Sequence, residues 1–269
     1  MRHLVKTITL SLIATSLITL TTQVQALTDE AAIAKGLAIA TEADVRDNGF
    51  GDVKSNLTMI LRNKHGEESK RSMRNKTLEQ PNDGDKALIT FDNPRDVKGT
   101  SFLSYTHRAS NDEQWLFLPA LKRVKRIASS NKSGPFMGSE FAYEDISSQE
   151  IEKYTYRYLK NETIDNVEFF VIERDPVDPR SGYSKQHVWI DTQEYRAFKI
   201  DFYDRKQDLL KTLNLSDYHQ HLNQFWRANV WAMHNHQTGK STELVFSDWT
   251  FRNGYADKDF TTTSLKRAR

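Results

Sequence analysis

The chain is expected to fold as a mainly β protein, with a few helices set against a large antiparallel sheet. Three observations point there. After residue 52 the sequence breaks into segments of about eight to twelve residues with alternating apolar character. Short turn-forming runs such as Asn63-Lys64-His65-Gly66, Asp165-Asn166 and Asp191-Thr192-Gln193 separate them. Neither a Pro- or Gly-rich linker nor an internal repeat interrupts the series, so residues 27–269 read as one domain.

The elements follow in order. Thr28, Asp29 and Glu30 form a cap and an acidic first turn, and Ile33, Leu37, Ala40 and Val45 recur at helical spacing until Asn48-Gly49. Val53 to Arg62 alternates Leu57, Met59 and Leu61 with polar residues, and Glu67 to Leu78 is its very polar return strand. Lys86 to Asp92, Gly99 to His107, Glu113 to Leu118 and Arg123 to Ala128 follow. After a long loop come Lys153 to Asn161, Val167 to Arg174, Tyr183 to Asp191 and Arg196 to Tyr203. Leu209 to Tyr218, Phe225 to His234 and Ser241 to Arg252 complete a meander. A sheet this long is expected to curl. Its concave side then encloses an apolar cavity unless side chains fill it, with the helix of Ala31 to Asp47 and the 129–146 loop as covers.

That loop is the most unusual segment. It places Phe136, Met137, Phe141 and Tyr143 on a Gly/Ser/Pro-rich connection, where side chains normally face water. Either it covers something apolar or it folds back into the core. Other aromatics sit at strand spacing: Trp115 with Phe117, Trp189, Phe198 with Phe202, Trp226 with Trp231, and Trp249 with Phe251. Most are core; Trp115, Phe117 and Trp189 join the four loop residues as candidates for lining a cavity.

The first 26 residues read as a cleaved secretory signal. Arg2, His3 and Lys6 precede the apolar stretch Ile8 to Leu20, and Val24-Gln25-Ala26 offers a small-residue cut site. The stretch is short of the roughly 20 apolar residues of a spanning helix. Without any cysteine, the chain lacks the lipid-bearing residue of a bacterial lipoprotein, and thiol catalysis and thiolate metal sites are excluded. Loss of Arg2 and Lys6 brings the 38 basic residues to 36, matching the 36 acidic ones. Such a neutral chain argues against nucleic acid as a partner.

Chemistry-bearing motifs are few. The sequence contains no Gly-x-Ser-x-Gly, Walker loop or His-Glu-x-x-His, so an enzyme is not expected. His219 with His221, and His234 with His236, each share a strand face. Hairpin register would separate the pairs by about eight residues, or roughly 26 Å, so no metal or other cofactor is assigned. Lys122, Arg123, Lys125 and Arg126 form a basic strand that reads either as an edge blunted against aggregation or as a docking patch for headgroups or an acidic partner. An outer-membrane barrel fits poorly, since Glu67-Glu68-Ser69-Lys70-Arg71 is charged on both faces and the last residues, Leu265 to Arg269, are basic instead of aromatic.

Gln114 to Leu121, Val124-Lys125-Arg126-Ile127 and Lys132 to Ser139, with Val97 to Leu103 and Gly182-Tyr183-Ser184-Lys185, resemble the periplasmic outer membrane lipoprotein-sorting family, relatives of the LolA/LolB carriers. The resemblance implies a strongly curved antiparallel sheet forming an incomplete β-barrel, with helices as a lid over a hydrophobic cavity. It also implies a periplasmic carrier of acylated lipid or lipoprotein cargo, in transient contact with membranes and partnered by an inner-membrane exporter of the resistance-nodulation-division (RND) type. A monomer is expected. The alternatives are a cargo-free accessory module of an exporter complex and a periplasmic hydrolase.

Overall fold

The computed structural model describes residues 27–267. The expected signal segment, residues 1–26, lies outside the described residues. Thirteen strands form one antiparallel sheet: β1 (Asp52–Arg62), β2 (Glu68–Leu78), β3 (Lys86–Asn93), β4 (Ser101–Tyr105), β5 (Glu113–Leu118), β6 (Arg123–Ile127), β7 (Tyr154–Ile164), β8 (Val167–Pro176), β9 (Tyr183–Asp191), β10 (Ala197–Asp204), β11 (Leu209–His221), β12 (Phe225–Asn235) and β13 (Ser241–Phe251). Each matches an expected strand to within about three residues. Two helices accompany them, α1 (Asp29–Asp47) and α2 (Thr262–Arg267).

The strand order is β6-β5-β4-β3-β2-β1-β13-β12-β11-β10-β9-β8-β7. A single meander was expected; the sheet is instead two meanders. They are joined where β1 pairs with β13, as in Leu57↔Phe246 and Met59↔Leu244. The sheet is open, since β6 and β7 form its two edges. The long loop between them explains this: it leaves β6 and crosses the sheet before β7 begins.

Alternation along each strand sorts the side chains onto two faces. In β1, Val53, Ser55, Leu57 and Met59 are buried, while Lys54 and Asn56 are exposed. Polar β2 contributes one buried residue, Met73, opposite Leu57. The inner face gathers Met59, Phe91, Phe102, Leu116, Phe202 and Leu213, together with Phe136 and Phe141 of the loop. On the outer face, Leu88, Leu103 and Phe117 lie under Phe260 and Leu265 of the C-terminal segment. Phe169, Val171 and Trp189 form a separate outer patch.

Helix α1 starts as expected, with the Thr28 hydroxyl accepting the Ala31 N–H at 3.3 Å. Its buried stripe is only partly the expected one, sharing Ala40. Ala32, Gly36, Ile39 and Ala40 are buried, whereas Ile33, Leu37 and Val45 are exposed. Gly36 is the reason: a Cβ there would lie 2.6 Å from the Arg157 carbonyl carbon and the Tyr158 nitrogen of β7. The helix therefore turns its small-residue face to the strand. Ion pairs fix both ends, Asp29 with Arg157 of β7 and Asp47 with Arg227 of β12, so α1 crosses from the sheet edge toward its middle.

The turns at the two ends of the sheet meet. Arg180, between β8 and β9, donates to Asn111, between β4 and β5, at 2.5 Å. Lys153 and Asp112 pair at 3.2 Å. In a flat sheet of this order those turns would stand nine strand spacings apart, about 43 Å, so the sheet bends.

Candidate apolar cavity and its covers

A cavity of about 640 Å³ lies between the inner face of the sheet and α1. Strands from both meanders wall it, among them Leu57, Ile89, Leu215, Trp231, Phe246 and Trp249. Ala43 of α1 and the loop segment 145–148 close its other sides. The volume is in the range of small-molecule sites. Three of the five tryptophans, Trp226, Trp231 and Trp249, line it; the other two do not.

The loop that follows β6 is built into the core. Phe136, 1% exposed, packs edge-on against Phe102 at 5.2 Å between ring centres and against Tyr143 at 5.5 Å. Phe141 is fully buried, and Met137 and Tyr143 are half-buried. Polar anchors then tie the loop to strands from across the sheet. Arg71 of β2 donates to the Met137 carbonyl at 2.5 Å. The Glu140 N–H donates to Thr242 of β13 at 3.0 Å. Lys211 of β11 donates to the Glu140 carbonyl at 2.9 Å and pairs with Asp145 at 2.7 Å, both side chains only 5% exposed. Tyr183 of β9 donates to the same Asp145 at 2.8 Å. Burial, followed by the Asp145 charge, raises the Tyr183 phenol well above its ordinary value and keeps it a donor.

The cavity wall and the loop also carry acids with altered affinity for protons. Asp85, on the cavity wall, accepts from Ser148 at 3.1 Å. Burial, aided by the nearby Glu150 charge, pushes it up to about 7. Glu144, raised chiefly by burial, accepts from the Gly182 N–H and the Ser181 hydroxyl, each at 2.8 Å.

None of the seven residues expected to line a cavity lines this one. Phe136, Met137, Phe141 and Tyr143 fill the core beside it. Trp115 and Phe117 face outward, against the C-terminal segment, and Trp189 faces outward with Phe169. The basic residues Lys122, Arg123, Lys125 and Arg126 are exposed on or beside the edge strand β6, with Arg126 paired to Glu113 at 2.8 Å. The β11–β12 ladder sets His221 against Phe225 and His234 against Thr212, so the two His pairs sit at opposite ends. Among the described residues no group of three or more His, Cys, Asp or Glu is placed to hold a metal.

The fold is shared with solved proteins. A domain from Vibrio parahaemolyticus, described as an outer membrane lipoprotein-sorting protein, is 56% identical, with a TM-score of 0.86 over 87% of this chain and 100% of its own. A DUF1329 family protein from Desulfovibrio piger is 27% identical, with a TM-score of 0.82 over 87% of this chain and 99% of its own. A LolA superfamily protein from Nitrosomonas europaea, at 22% identity and TM-score 0.68 over 89% and 100% of the two chains, shares the fold. A family model described as "Uncharacterized protein" matches residues 83–267. No curated protein matches the chain. The fold is that of LolA-like proteins, and the chain belongs to the family of the Vibrio lipoprotein-sorting domain.

Proposed function

We propose that this protein is a periplasmic carrier that holds the acyl chains of a lipid or lipoprotein and moves them between the inner and outer membranes. The observation that carries this reading is the cavity of about 640 Å³ beneath α1, whose wall includes a continuous set of aliphatic and aromatic side chains beside its polar ones. In this reading the bent, open sheet acts as an incomplete barrel, with α1 and the 128–150 loop as its covers. The meeting of Arg180 with Asn111 supports that curvature, and the description of the Vibrio relative supports the cargo class.

Burying about ten methylenes would contribute roughly 8 kcal/mol, less the cost of ordering the chain. Firm binding therefore needs only part of an acyl chain, and release needs a partner. The exposed cations at β6 would dock that partner, an RND-type exporter or an acidic membrane surface.

The test is mass spectrometry of the organic extract of the protein purified from its own periplasm. Stoichiometric acylated molecules are the expected result. An empty protein that also fails to bind a fluorescent fatty acid would overturn the carrier reading in favour of a cargo-free exporter module.

A further inference from the structure

The mouth of the cavity has a chemistry of its own. The last turn of α1, the β9–β10 turn and the β11–β12 turn all contribute to it. Arg46, Arg196 and Arg227 line it together, and each guanidinium lies over an aromatic ring. Arg46 is 4.4 Å from the Tyr195 ring centre, Arg196 is 4.5 Å from Trp226, and Arg227 is 5.3 Å from Phe50. Rings below them hold the guanidinium planes in place.

A guanidinium carries five N–H donors, and these three leave many unused. Arg46 gives Nε to Glu42 and Nη1 to the Gln193 carbonyl. Arg196 gives Nε to Asp191 at 2.8 Å. Arg227 gives Nη1 to Asp47 and to the Trp226 carbonyl. Among the described residues, no protein acceptor takes Nη2 of any of the three. The same holds for Nη1 of Arg196 and Nε of Arg227. The Arg227 and Arg196 side chains are 14% and 28% exposed, and none of their unused N–H groups is sealed from solvent, so a bound group can reach them.

Each arginine also has a carboxylate partner. Asp47 is held by Arg227, and Glu194 accepts the Trp226 indole N–H at 3.1 Å. With Glu42 on Arg46 and Asp191 on Arg196, four carboxylates surround the three guanidiniums, so the mouth offers an anion its unused N–H donors and not an excess of positive charge. The negative end of the α1 dipole also points here, and Arg46, in its last turn, offsets it. Deeper in the cavity, Asp145 is paired with Lys211.

We infer that the cavity takes an acyl chain ending in an anionic head, a carboxylate or a phosphate, held by Arg196 and Arg227 beside Trp226. This specificity rests on the carrier reading above and narrows it. The apolar walls take the chain, and the unused N–H groups take the head. A hydroxyl head accepts at most two of those donors, whereas an anionic head accepts more of them through stronger, charge-assisted bonds.

Isothermal titration of the intact protein with hexadecanoate, hexadecyl phosphate, hexadecanol and inorganic phosphate tests this. Both acylated anions are expected to bind at least about tenfold more tightly than the alcohol, with no heat from inorganic phosphate at the same concentrations. Arg196→Gln and Arg227→Gln should bring hexadecanoate down toward the alcohol, leaving the alcohol unchanged. Equal affinity of acid and alcohol for the wild-type protein would overturn the head specificity while the carrier reading stands. Binding of inorganic phosphate alone would replace it with a free-anion site. Failure of every acyl ligand to bind would overturn both. The wild-type comparison decides the matter even where a variant fails to fold.

Discussion

At the scale of single residues, the loop is held by a buried charge pair. Lys211 and Asp145 are almost fully withdrawn from water, so removing one leaves the other uncompensated. Lys211→Met should cost about 3–5 kcal/mol of stability, and adding Asp145→Leu should recover part of that loss. Urea unfolding measures both; a single-variant cost below about 1 kcal/mol would mean that water reaches the pair. Asp85 gives a pH signature. Its carboxyl titrates near 7 in the fold and near 3.9 in the unfolded chain. Between those values the folded protein binds more protons, so the group's contribution to stability falls as pH rises from about 4 to about 7. Asp85→Asn should match the parent near pH 4 and exceed it by about 1–4 kcal/mol at pH 8. A difference that does not grow with pH would contradict this. Residue-level placement was only partly legible in the sequence. Trp226, Trp231 and Trp249 share strand spacing with Trp115, Phe117 and Trp189, yet the first three line the cavity and the others face outward. A shift of one residue exchanges the two faces of a strand, and spacing alone does not say which face is concave. The arginines of the mouth carried no local signal at all, because three separate segments bring them together.

At the scale of elements, strand positions were legible because turn residues and alternation are local. Strand partners were not: nothing in β1 or β13 names the other, and the expected single meander was wrong at that junction. Helix α1 shows the same limit, since its largest apolar residues looked like the buried stripe until Gly36 brought a different face down on β7. Edge strand β6 keeps its cations in solvent, and their removal should leave the interior intact. Changing Lys122, Arg123, Lys125 and Arg126 together to Glu is expected to slow partner- or membrane-dependent transfer of a bound fatty acid at least about tenfold. Affinity for the free fatty acid should stay within about twofold. Loss of both properties together would count against separate docking and binding surfaces.

At the scale of the whole molecule, two meanders share one ladder. β13 joins them, pairing with β1 on one side and β12 on the other. Stability should therefore be most sensitive there. Leu244→Ala, at a residue 1% exposed in β13, should cost about 2–5 kcal/mol. Val124→Ala, on edge strand β6, should cost below about 1 kcal/mol. Comparable denaturation midpoints for the two variants would refute a central seam. The position of β13 also sets a timetable. It is the last of the thirteen strands to be made, so a growing chain holds two half-sheets whose edges, β1 and β12, lack their neighbour until residues 241–251 emerge. Bare edges invite pairing with other chains, which makes the final moments of synthesis the period when this protein most needs a chaperone.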